Sequence, residues 1–71
     1  MVLKEELWAI VNMLANDIPL PAKYNDHLLT GNWKSHGECH IRQDFLLIYL
    51  KTDDNNLYLV RLGSHSEVLK I

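Results

Sequence analysis

Four histidines stand in 71 residues: His27, His36, His40 and His65. An imidazole of ordinary pKa, about 6.5, can give or take a proton near neutral pH, so these are the side chains best suited to acid–base work. His40 falls in an alternating run with Glu38 and Arg42 on one side and Cys39 and Ile41 on the other. His65 follows the end of a later apolar run, and His27 lies in a long irregular stretch. Antiparallel pairing of these runs would bring His40, Asp44, Arg61 and His65 towards one end of a sheet. Two imidazoles beside a guanidinium could move a proton at a phosphodiester while the arginine holds the anionic oxygens. Spacing alone leaves open the plainer reading of scattered, hydrogen-bonded surface histidines. His27, His36, Cys39, His40 and His65 are also zinc-ligand types, but no spacing forms a ligand knuckle, and Cys39 and His40 are neighbours on opposite faces. No metal and no cofactor is therefore expected, and Cys39 reads as a small buried apolar residue.

The elements that must position these groups are few. Residues 2–16 read as one amphipathic helix, with Leu3, Leu7, Ile10 or Val11 and Leu14 at helical spacing and Trp8 beside them. Pro19 and Pro21 end it. Residues 17–37 read mostly as loop, broken by Gly31 and Gly37. Strands are expected over 38–43, 45–50 and 57–62, with a turn cluster from Thr52 to Asn56 and a short tail from Ser66. Trp8 and Tyr49 are expected in the core, while Trp33 could sit on either side of the surface. The fold class is α+β, a helix laid on a small twisted antiparallel sheet, in a single domain spanning 1–71.

Composition narrows the function. Hydrophobic residues make up 48% and charged residues 23%, which argues against disorder. The longest apolar run, Phe45 to Leu50, is far short of the roughly 20 residues that cross a bilayer. Glu5 and Glu6 interrupt any secretion-signal pattern, and one cysteine permits no internal disulfide, so a cytoplasmic protein with no membrane role is expected. Seven basic against nine acidic residues give a formal charge of −2, unlike a domain that holds nucleic acid by phosphate contacts alone. A core this small seldom supplies more than about 3–5 kcal/mol, so an oligomer or a partner is expected.

Several segments together carry a resemblance. Pro19-Leu20-Pro21, Asp26-His27, Gly31-Asn32-Trp33-Lys34, Glu38-Cys39-His40-Ile41 and Asp44 to Tyr49 occur in order, and Arg61-Leu62-Gly63-Ser64-His65 closes the set. The chain resembles the YafQ branch of the RelE/ParE toxins of type II toxin–antitoxin systems, over nearly its whole length. The resemblance implies a RelE-like fold whose first strand and first helix are missing here. It implies a ribosome-dependent mRNA endoribonuclease that activates a ribose 2′-hydroxyl against the adjacent phosphate, with an antitoxin, the ribosome and mRNA as partners. It assigns His27, His40, Asp44 and His65 to acid–base and positioning roles and Arg61 to the scissile phosphate. Lys34, Arg42 and Leu69 are the implied substrate-binding positions.

Ser35-His36-Gly37 stands where the family has Gly-Tyr-Arg, and Leu69 where it has an aromatic residue. A catalytically weak module of the same fold that mainly binds an antitoxin is therefore the alternative. For every reading the antitoxin is the expected protein partner, with the helix face around Leu3, Leu7 and Trp8 and the sheet edge as candidate contact surfaces. A gyrase-poisoning activity, found on the same fold, would leave the histidine set unexplained.

Overall fold

The structure, a computed structural model, describes residues 3–68, without the side chains of Leu3, Asn32, His65 and Val68. Helix α1, Leu3–Ala15, carries its acidic pair Glu5 and Glu6 in the first turn, where the helix dipole favours them. Ile10 and Leu14 are buried and Leu7 packs beside them, as the apolar spacing predicts. Burial of each such side chain is worth roughly 1.5–3 kcal/mol. Trp8, expected in the core, is 58% exposed. One residue on from Leu7 turns about 100° around the helix, off the buried stripe.

The helix ends in a Schellman arrangement: Ile18 N–H donates to Met13 O at 2.9 Å, Asp17 N–H to Leu14 O at 3.3 Å, and Asp17 sits at φ 57°. Lys51 Nζ seals this end, 2.7 Å from Asp17 Oδ1 and 3.4 Å from the carbonyls of Leu14 and Ala15. A cation here meets the negative end of the helix dipole.

Residues 17–37 hold more order than a loop. They contain a 3₁₀ turn at Ala22–Tyr24, a two-residue strand β1 at His27–Leu28, and a second 3₁₀ turn at Gly31–Trp33. Strands β2 (Gly37–Arg42), β3 (Phe45–Lys51) and β4 (Leu57–Gly63) follow within a residue or so of the expected bounds. The tail opens with a short helix, α2, at His65–Val68. All neighbours are antiparallel, in the order β1-β2-β3-β4. The sheet thus has four strands where the sequence predicts three. A two-residue strand has no periodicity to read, and β1 exists through its pairing with Glu38 and Gly37.

The sheet has two unlike faces. Cys39, Ile41, Leu47 and Tyr49 lie under α1 and form the main core. Leu46 and Ile48 point the other way, covered by Leu29, Trp33 and Val60. Gly37 is demanded by this packing, because a Cβ there would stand 2.3 Å from the Tyr49 ring.

Two bulges decide which side chains share the second face. On β2, His40 pairs with Leu46 and Arg42 with Phe45, so Ile41 is an extra residue. On β4, Arg61 pairs with Ile48 and Leu59 with Tyr49, so Val60 is extra. The first bulge turns Arg42 away from His40 and towards α1, where its Nε lies 2.6 Å from Glu6 Oε1. That corrects the expectation of one shared face for His40 and Arg42. The second bulge turns Arg61 on to the face of Ile48 and Glu38.

Candidate active site

The centre of the second face is Glu38. Its side chain is buried, 5% exposed, on β2. Strand register sets His27 of β1 directly opposite, and His27 Nε2 stands 3.0 Å from Glu38 Oε1. His40, two residues along the same strand and face, brings its Nε2 within 3.6 Å of the same oxygen. A buried carboxylate is costly unless hydrogen-bonded or paired; the His27 imidazole bonds Oε1, and the His40 imidazole stands beside the same oxygen. Glu38 Oε2 is also buried and has no partner among the described residues. An unsatisfied buried acceptor at the middle of a titratable cluster marks a place where a substrate proton or cation can be received.

The row continues across the sheet. Glu38 pairs with Ile48, and Ile48 with Arg61, so the guanidinium lies on the same face two strands away, roughly 10 Å by strand spacing. Arg61 lies over the Trp33 ring, 5.5 Å from its centroid, and its Nη1 donates to Val60 O at 3.2 Å. Trp33 is half-buried, meets His36 edge-on at 5.5 Å, and keeps its Nε1 buried without a partner among the described residues. The next row runs His40, Leu46, Gly63, which brings the chain to the start of α2 one residue before His65. Ser64 and Glu67 form the carboxylate half of a capping box there. Ser64 N–H and Oγ–H donate to Glu67 Oε1 at 3.1 and 3.0 Å, and Glu67 N–H donates to Ser64 O at 3.0 Å. Those donors hold the Glu67 carboxyl below its ordinary range. The box sets the backbone of His65 at the first helical position.

Tyr49 ties down the approach to His27 from the other side of the sheet. Its hydroxyl donates to Asp26 Oδ1, the residue just before His27. Burial, and after it the bond to Asp26, pushes the Tyr49 phenol up. Cys39 is fully buried, and burial first, then the Asp26 and Glu38 charges, push its thiol up to about 12. It stays a protonated, apolar core residue, as expected.

Of the site residues expected from sequence, His27 and His40 are brought together, and Arg61 shares their face. His65 lies at the neighbouring strand end, with its side chain outside the described set. Asp44 is exposed in the two-residue turn between β2 and β3. Lys34 is exposed after the second 3₁₀ turn, where its carbonyl meets His36 Nδ1 at 3.1 Å. Arg42 pairs with Glu6, and Leu69 lies outside the described residues. Glu38 is the site residue that sequence reasoning passed over. Its alternation with Cys39 was the available signal, because it placed the acid on the face of His40.

His27, Glu38 and His40 also form a possible metal set, with one ligand atom of each lying within 4.8 Å of the others. Two imidazoles and a carboxylate suit a borderline divalent ion. This trio replaces the zinc-ligand types weighed from sequence, since Cys39 points to the other face and His36 is engaged with Trp33.

Residues 2–70 match the family described as the bacterial toxin of type II toxin–antitoxin system, YafQ. The mRNA interferase toxin YafQ of Escherichia coli K12 is 43% identical over 54 residues, 76% of this chain. This chain spans 58% of that relative's length. The metal-bound toxin from Helicobacter pylori superimposes with a TM-score of 0.85 at 47% identity, over 97% of this chain and 77% of that one. The toxin of the E. coli DinJ–YafQ complex gives 0.82 at 35% identity, over 94% and 74%. With the family model matched over residues 2–70, the chain belongs to the YafQ family of bacterial type II toxins.

Proposed function

We propose that this chain acts as the toxin of a type II toxin–antitoxin pair and cleaves mRNA on the ribosome as an endoribonuclease. The observation that carries the reading is buried Glu38 holding His27 and His40, with Arg61 on the same face of the sheet. The relative named an mRNA interferase toxin supports it, as does the fold shared with the toxin of the DinJ–YafQ complex. Strand breakage by this route needs three things. A base takes the 2′-OH proton, the 2′-oxygen bonds to phosphorus, and an acid protonates the departing 5′-oxygen. Glu38 and the imidazoles it holds can accept and pass the first proton, and His65 at the neighbouring strand end is the second proton carrier. Arg61 offsets the charge that builds on the phosphorane oxygens. Asp44 serves as a further anchor or weak base at the hairpin tip. Lys34, Arg42 and Leu69 are the substrate-binding positions. The antitoxin is the protein partner, and the site of action is the cytoplasm, where translating ribosomes are.

A second reading of the same trio is favoured by the solved metal-bound relative. His27, Glu38 and His40 would hold the ion, which would act as a Lewis acid while engaging the nitrogens that proton transfer uses.

The test is induction in a bacterium, with mapping of mRNA cuts. Wild type should arrest growth, whereas His40→Ala, His65→Ala and Glu38→Gln should each lose about 10²-fold or more in cleavage. Folded variants that arrest growth as wild type does would overturn the reading.

A further inference from the structure

The edge of β2 is covered by β1 only at Gly37 and Glu38. Beyond that point a cleft of about 540 Å³ opens beside His40. Lys23 and Tyr24 of the first 3₁₀ turn, with Asn25 after it, form one wall. Gln43 of the hairpin turn and the Arg42–Glu6 pair form the other. Resting on the ribonuclease reading, we propose that this cleft is a nucleotide subsite. It takes one single-stranded RNA nucleotide flanking the bond to be cut, with Asn25 and Gln43 reading its base and Lys23 holding its phosphate.

Continuity with the active site is the first support. His40 lines the cleft and also stands 3.6 Å from Glu38, so a strand lying across the histidines runs directly into it. Size agrees, since small-molecule sites span roughly 300–1,000 Å³. Charge agrees as well. The chain carries −2 overall, yet within the cleft Glu6 is neutralised by Arg42 at 2.6 Å, which leaves Lys23 as a net cation. A polyanion is therefore received here and not repelled.

The polar groups have the chemistry of base recognition. A primary amide offers two donors and an acceptor, the complement of a base edge, and sequence is read on RNA by such bonds to unstacked bases. Among the described residues neither the Asn25 nor the Gln43 amide has a partner. Asn25 is held in the left-handed region, φ 48° and ψ 50°, by its N–H bond to Ala22 O at 3.0 Å. Its side chain therefore starts from a fixed backbone. Lys23 Nζ lies 5.1 Å from the Tyr24 ring centroid, so a cation and an aromatic face adjoin at the same wall.

The experiment sequences the cut ends of a reporter mRNA, randomised at one codon, on translating ribosomes. It compares wild-type protein with Asn25→Gly/Gln43→Ala and with Lys23→Ala. Glycine keeps the left-handed backbone at 25, and circular dichroism checks folding. Wild type should prefer one base beside the cut, and the double variant should lose about tenfold of that preference, the scale of a lost base-edge contact. Lys23→Ala should raise KM for every sequence alike and leave the preference in place. Cleavage with an unchanged base preference in the double variant, or no preference in wild type, overturns the subsite and leaves the ribonuclease reading standing. Absence of cleavage by folded wild type overturns both.

Discussion

Glu38 is the residue on which the site turns, because it is a buried acid between two histidines and, among the described residues, its Oε2 has no partner. Its neighbour Cys39 faces the opposite layer, where burial raises the thiol to about 12 and, together with Asp26, raises the Tyr49 phenol as well. These two groups set an alkaline limit on stability. Their folded-state values lie above the ordinary 9.0 and 10.0, so the unfolded chain releases these protons first as pH rises. Stability is then complete below about pH 9 and falls as pH climbs through the folded-state values. Urea midpoints should drop between about pH 9 and 12. Tyr49→Phe, which has no phenolic proton, should show a shallower drop from its own neutral value. Parallel curves for the two proteins would contradict the assignment.

At the scale of elements, β2 and β3 are matched through one tight contact. Tyr49 pairs with Gly37, and its ring occupies the space where any side chain at 37 would stand. Gly37→Ala should destabilise the protein by about 1–3 kcal/mol, the usual cost of overpacking, measured by denaturant unfolding. An unchanged midpoint would mean that the ring moves aside freely. His27 would feel the same change, because the Tyr49 hydroxyl holds Asp26 beside it. The short helix α2 has its own local device, the Glu67 carboxylate reaching back to the Ser64 N–H and Oγ–H. The pattern Ser-x-x-Glu is readable in the sequence, yet four residues are too few for helical periodicity to show.

For the whole molecule, the sheet ends on one side in β4, whose outer edge has no strand beside it among the described residues. Leu59 and Leu62 lie on the helix side of that edge strand, 49% and 47% exposed, and Tyr58 is 52% exposed. The helix covers β2 and β3 and leaves this end of the layer open. Arg61, the charged residue of β4, lies on the opposite face, and an exposed apolar edge promotes association. Leu59→Lys with Leu62→Lys should therefore raise the concentration at which the protein stays monomeric, by about tenfold, as read by analytical ultracentrifugation. Equal association of wild type and variant would show that the edge takes no part. Among the described residues no helix is long and apolar enough to cross a membrane.

What the sequence by itself determined was α1, the three longer strands and the buried state of Cys39 and Tyr49, and it offered His27, His40, Asp44, Arg61 and His65 as a candidate set. Each is local: helical spacing, alternation, or an ordered string of motifs shows it without knowledge of distant neighbours. Tertiary structure alone decided the rest. β1 forms because Glu38 and Gly37 offer it a partner edge, and Trp8 is exposed because the helix lies on the stripe one residue away. The bulges at Ile41 and Val60 are the sharpest case. In a strand of unbroken period two, Arg42 would share the face of His40, and Arg61 would share that of Leu59. One extra residue in each ladder reverses both, sending Arg42 to Glu6 and Arg61 to the face of Glu38. Register is a property of two strands together, so neither strand's sequence contains it.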